Sequence, residues 1–259
     1  ERMILTEEEF KKLEKPSTDL NEEKETAHNN LVEAYENIID LLKYYCDIDE
    51  RFHPIISCWI IGTYIHKNFD SYPYLFFNAM RGSGKSRILR LITTLLKDGD
   101  VLSSPTEAVL FRTIGTLGID EFESVGRKGK ENIRELLNSC YKKGTKIKRM
   151  KQVKSIEGVE QVVESFDIFR PLVMANIWGM EEVLGDRCIT LTLERSNKSE
   201  IVNLVENFDN NFLVRKTKEL LSKSANLCCL CNDVVVVQCY EDWNFYIKNN
   251  YINTININN

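Results

Sequence analysis

Residues 76–92, FFNAMRGSGKSRILRLI, carry a glycine-bearing loop that ends in Gly-Lys-Ser and runs directly into a helical pattern. The preceding stretch YPYLFFNA (72–79) has the aromatic and apolar density of a short buried strand. After the loop, Ile88, Leu89, Ile92, Leu95 and Leu96 mark one helix face. Strand, loop and helix in that order are the setting of a phosphate cradle. Gly82, Ser83 and Gly84 let backbone N–H groups close round a β-phosphate, Lys85 adds charge toward the β and γ groups, and Ser86 is placed to ligate magnesium at the helix start. One position departs from the usual motif: Ala79 stands where it begins with glycine, which removes the freedom of positive φ at the loop entrance.

A second element follows at TLGIDEFE (116–123), which reads as a strand ending in two acids. Asp120 is placed to hold magnesium, usually through water, and Glu121 to polarise an attacking water. Taken alone, such an acidic pair is as well explained as solvated surface. Following a phosphate loop, it reads as the hydrolytic half of a site for ATP and Mg2+.

The rest of the chain alternates. DVLSS (100–104) reads as a strand, PTEAVLFRTI (105–114) as a helix with Pro105 near its start, and KENIRELLNSCYKKG (130–144) as a helix. RPLVMANI (170–177) reads as a strand, GMEEVLGD (179–186) as a short helix, and CITLTLER (188–195) as a strand. Strands alternating with helices predict an α/β fold with a mostly parallel sheet covered on both faces. Residues 1–27 read as an exposed, charged lead-in, and helical spacing is clear from Asn29 (Leu31, Tyr35, Ile38, Ile39, Leu42) and through PIISCWIIGTYI (54–65). After Arg195, SEIVNLVENFDNNFLVRKTKELLSK (199–223) reads as helical and DVVVVQCYEDWNFYI (233–247) as strand-like, with a polar Asn-rich tail. The expected division is a helical N-terminal segment (1–69), a P-loop core (70–195) and a C-terminal extension (196–259).

With 259 residues, 43% hydrophobic and 28% charged, the chain can bury a substantial core. A net charge of -5 argues against a wholly basic nucleic-acid coat and leaves room for a local basic patch. The longest apolar run, 54–65, is too short to cross a bilayer, so a soluble protein is expected, and the cysteine spacing suggests no secreted disulfide framework, which fits a reducing cytoplasm. The pair Cys228 and Cys231 lacks a second knuckle or later histidine for zinc. The sequence opens on Glu1 with no basic-then-apolar leader and reads as a fragment.

In order, YLFFNAMRGSGKSRILRLI, TEAVLFRTI, LGIDEFE, LLNSCYKKGTKIKR, RPLVMANI and LGDRCITLTLER resemble the AAA+ type ATPase domain of the primase-helicase proteins of plasmids, phages and integrated elements. The same region is more distantly similar to superfamily 3 helicases. The resemblance covers about residues 30–215. It implies a three-layer P-loop NTPase of AAA+ type, and an ATP-hydrolysing motor, expected to be a DNA helicase or helicase-like replication protein acting on single-stranded or forked DNA as a homo-oligomer, a hexamer by analogy. It further implies that Asn176 is the polar sensor of the γ-phosphate, and that Arg187 is a finger offered to the neighbouring subunit's nucleotide. A salt bridge to Asp186 or Glu182 is the alternative for Arg187. Arg215 is the one candidate for a second sensor arginine. Two rival activities use the same loop: a nucleotide-switched loader or remodeller of a protein partner, and a small-molecule kinase.

Between the acids and Asn176, a basic run holds Lys142, Lys143, Lys146, Lys148, Arg149, Lys151 and Lys154. TKIKRMKQVK (145–154) and EQVVESFDIF (160–169) read as the arms of a β-hairpin. By resemblance to superfamily 3 helicases, this hairpin is expected to contact DNA through Lys146, Lys148, Arg149 and Lys151. The alternative is a solvated basic face balanced by Glu157, Glu160 and Glu164 across the hairpin.

Overall fold

The computed structural model describes residues 17–103, 105–120, 122, 131–155 and 158–230, with the side chains of 17–21, 153–155, 158–160 and 226–230 outside the description. Its centre is β1 (Tyr74–Ala79), which is buried along nearly its whole length. Leu75, Phe77 and Ala79 point into one apolar cluster, while Tyr74 and Phe76 point into another. A strand buried on both faces belongs in the middle of a parallel sheet with helices on either side.

The sheet has five strands: β2 (Asp100–Leu102), β3 (Leu117–Ile119), β6 (Leu172–Asn176), β1 and β7 (Cys188–Leu193), in that spatial order and parallel throughout. One layer over it is built from α1 (Ser17–Tyr45), α2 (Phe52–Thr63), α3 (Lys85–Leu95) and α8 (Phe212–Leu230), which supply Ile38, Trp59, Ile88 and Leu221 to a common core. The other holds α4 (Glu107–Arg112), α5 (Glu131–Cys140) and α6 (Glu182–Gly185), with Phe111, Leu137 and Leu184 packed on Phe76 and Met174. The alternating α/β reading of the sequence therefore holds as a five-stranded, three-layer arrangement.

Two helical readings need correction. Residues 17–27 are not merely an exposed lead-in: α1 runs through them from Ser17, and although residues 22–26 stay half-buried or exposed, Ala27 is buried. Ser224 of α8 donates to the Ala27 carbonyl at 3.4 Å. The stretch 199–223 is not one helix either. A short α7 (Ser199–Val202) stops, and α8 begins only at Phe212, where the Asn211 side chain accepts from the N–H groups of Leu213 (2.8 Å) and Val214 (3.3 Å). This is an N-cap, and it fixes the break.

Outside the main sheet, β4 (Lys146–Ser155) and β5 (Gly158–Asp167) form an antiparallel ribbon in the expected place. Two strands alone are marginal in water. The ribbon is anchored at its base, where Phe166 stacks on Phe111 with ring centroids 4.8 Å apart. Residues 1–16, the strand-like 233–247, the Asn-rich tail and Cys231 lie outside the described residues. No described helix is long and apolar enough to cross a membrane.

Candidate nucleotide and nucleic-acid sites

The sheet order decides which residues meet. Because β6 lies between β1 and β3, Asn78 is in register with Asn176, and Met174 with Ile119. The loop after β1, the Asn176 end of β6 and Asp120 just past β3 thus share one edge of the sheet, the carboxyl ends of parallel strands, where such folds bind ligands.

Ala79 proves to be the last residue of that strand, buried and paired with Leu193. Extended backbone suits any residue, so the missing glycine costs nothing there. The turn falls instead to Gly82 (φ 81°) and Gly84 (φ 83°), both in the left-handed region where a side chain is strained. Gly84 directly precedes α3, an eleven-residue helix that opens on Lys85 and Ser86. Inside the loop, the Ser83 Oγ is buried and has no hydrogen-bond partner among the described residues. Lys85 Nζ lies 3.7 Å from Asp120 Oδ1. An unpartnered buried hydroxyl, a lysine beside a carboxylate and a helix N-terminus are the donors and charges that a nucleotide's phosphates and a magnesium ion would use. Ser86 and Asp120 are the residues that would hold the metal. Among the described residues there is no group of three or more His, Cys, Asp or Glu that could hold a metal ion by itself. Glu121 lies outside the described residues.

Asn176 is buried, and its side chain shapes its own loop. Oδ1 accepts from the N–H groups of Ile177 (2.6 Å) and Trp178 (3.1 Å), and Nδ2 donates to the Gly179 carbonyl at 2.8 Å. An amide nitrogen has two N–H bonds, and the bond to Gly179 uses one of them.

Arg187 stands at the opposite edge. Its carbonyl accepts from Tyr74 N–H at 2.9 Å, at the start of β1, so it is about five strand residues, roughly 17 Å, from Ala79. The guanidinium stacks over Tyr141, 4.9 Å from the ring centroid, and Nη1 donates to the Val183 carbonyl. Among the described residues it forms no ion pair with Asp186 or Glu182. Arg215 is exposed near the start of α8.

The ribbon separates its basic residues by face. Arg149 is paired with Glu107 and lies over Phe111, and Lys151 reaches Glu164 at 3.4 Å. Lys146 and Lys148 occupy the other face, opposite Asp167 and Ser165, and neither forms an ion pair among the described residues. Both lysines are exposed, as are Met150 and Val163 beside them. Lys154 and Glu160 have no described side chains, and Glu157 lies outside the described residues.

Two features carried no sequence signal. Arg87 Nε and Arg90 Nη1 both reach Glu206, at 3.0 and 2.8 Å, and Arg87 also donates to the carbonyls of Ile201, Val202 and Leu204. α3 is thereby tied to the segment after β7. Arg195, two residues past β7, lies against Gly82: a methyl built there would sit 3.5 Å from its Nε.

The sequence matches no protein-family model and no curated protein. Among solved structures the chain is weakly similar to JCV helicase. A crystal structure of that helicase with a bound phenoxyphenyl acetamide has a TM-score of 0.36 and 14% identity, covering 85% of this chain and 69% of the other. The X-ray structure of JCV helicase gives 0.34 and 14%, over 85% and 68%. An inhibitor-bound form gives 0.32 and 13%, over 90% and 69%. Likenesses this distant carry no argument about the site.

Proposed function

We propose that this chain is an ATP-hydrolysing motor of AAA+ type that works on DNA as a homo-oligomer, a helicase or helicase-like replication protein. The observation that carries the reading is the Lys85–Asp120 approach, 3.7 Å, at the edge of the sheet to which β6 also brings Asn176. In this reading Gly82, Ser83 and Gly84 wrap the phosphates, Lys85 neutralises the β and γ groups, and Ser86 and Asp120 hold Mg2+, whose charge offsets that developing on the transferred phosphoryl. Glu121 orients and deprotonates water, and Asn176 senses the γ-phosphate. The position of Arg187 supports an action in trans: it lies across the sheet from its own loop, so only a neighbouring subunit's nucleotide is within its reach.

The DNA contact is proposed for the ribbon, with Lys146 and Lys148 as its principal phosphate ligands, since Arg149 and Lys151 already face carboxylates. The test is ATP hydrolysis with and without single-stranded DNA over a range of protein concentrations. The reading expects turnover per subunit to rise with concentration and with DNA. Turnover independent of both would sink the motor and favour a kinase or another monomeric enzyme.

A further inference from the structure

We propose that Arg195 is a phosphate-binding residue of the nucleotide site, acting within its own subunit. The inference rests on the nucleotide reading of the 79–86 loop and adds to it a cation on the loop's far flank. Three observations carry it. First, β7 runs parallel to β1 with Leu193 beside Ala79, so two further residues bring Arg195 level with the loop. Second, the guanidinium lies against Gly82, with Nε, Cζ and Nη2 at 3.5, 3.7 and 3.8 Å from where a Cβ would stand, ordinary contact distances. Third, among the described residues this exposed guanidinium has neither a carboxylate partner nor a hydrogen bond, whereas Arg87 and Arg90 of α3 share Glu206. A guanidinium placed against such a loop, with no counter-charge among the described residues, suits a phosphate oxygen.

The next residues hold it there. Ser196 donates to Asp47 Oδ2 at 2.8 Å, and Lys198 reaches Asp47 Oδ1 at 2.8 Å. The backbone leaving β7 is thereby pinned to the segment between α1 and α2. The contact is therefore intramolecular, unlike the one proposed for Arg187.

The experiment measures ATP and ADP binding by calorimetry, and thermal unfolding without nucleotide, on the full chain and on Arg195→Ala, Arg195→Lys and Lys85→Ala. Losing a charge-assisted phosphate contact should weaken ATP binding by about 10- to 100-fold in Arg195→Ala. Arg195→Lys should recover part of it, with the melting temperature unchanged in both. Arg195→Ala that binds ATP within twofold of the parent, while Lys85→Ala has lost binding, overturns this proposal and leaves the nucleotide reading standing. A fall in melting temperature shared by both Arg195 variants also overturns it, because the side chain then braces the loop. A parent chain that binds no ATP removes both readings together.

Discussion

Lys85 Nζ and Asp120 Oδ1 stand 3.7 Å apart although the strands they follow, β1 and β3, do not pair. The lysine opens the helix after β1, the aspartate follows β3, and β6 fills the gap between. The carboxylate is a counter-charge for the lysine. With Mg-nucleotide bound, both would turn to the ligand. Asp120→Asn should therefore leave nucleotide affinity measured in EDTA near the parent's and abolish the gain on adding Mg2+. Titrations with and without the metal check this, and an unchanged magnesium gain would remove Asp120 from the site.

Gly84→Ala isolates backbone strain, because a Cβ there meets nothing within 4 Å yet must adopt φ 83°. A left-handed non-glycine residue costs about 1–2 kcal/mol. The variant should lose roughly 2–8 °C in melting temperature, at about 2–4 °C per kcal/mol for a chain of this size. It should also bind ATP poorly. Parental melting and binding together would show that the loop relaxes without cost.

Arg187→Ala should keep the parent's ATP affinity in isolated subunits and reduce turnover by about 10³, as loss of an arginine finger does. Mixing it with Lys85→Ala should restore part of the turnover, since mixed neighbours join an intact loop to an intact arginine. If mixtures stay inactive and sedimentation shows monomers, Arg187 serves only its stack on Tyr141.

For the ribbon, the face assignment separates two double variants. Lys146→Ala with Lys148→Ala should weaken single-stranded DNA binding and flatten the slope of log affinity against log salt by about 1.4, at roughly 0.7 per phosphate contact. Arg149→Ala with Lys151→Ala should change that slope less, because those two groups are already neutralised within the protein. Equal effects from both pairs would mean that the carboxylates release their partners on binding.

His53 and His66 give a pH dependence. Burial lowers the pKa of each below the ordinary 6.5, His66 being held between Tyr72 and Phe169 and bonded to the Thr63 carbonyl. From pH 6.5 down to the folded values the unfolded chain binds more protons, so stability falls on acidification through that window and changes no further from these groups below it. Urea midpoints at pH 7.5 and 5.5 should show the decline, and His66→Asn should reduce it. A midpoint indifferent to this range contradicts the assignment.

Much of the architecture was legible because a parallel strand buried on both faces writes itself as an apolar run, as in YLFFNA and LVMAN, and the glycine-bearing loop joins one such run to an amphipathic helix. The start of α1 was missed because its first turns are polar and the burial of Ala27 depends on α8, nearly two hundred residues away. The break before α8 did have a signal, since Asn211 is a good N-cap, but the surrounding Asn, Asp and Glu residues fit an exposed helix face equally well. At the site, local motif chemistry pointed to Lys85 and Asp120. Arg195 was invisible because its relation to Gly82 exists only once β7 lies beside β1.

That central strand has a consequence for how the chain is made. Both neighbours of β1 come late: Leu75 pairs with Val173 and with Ile189. During synthesis, Tyr74, Leu75, Phe76 and Phe77 leave the ribosome with neither flanking strand yet in existence. At about 5–20 residues per second, the roughly 97 residues from Ala79 to Asn176, the end of the first flanking strand, take about 5–19 s to appear. For that interval the central strand of the sheet has two open edges, which is the condition that chaperones recognise and that favours aggregation. Any nascent or truncated chain ending before Leu172 keeps that exposure permanently.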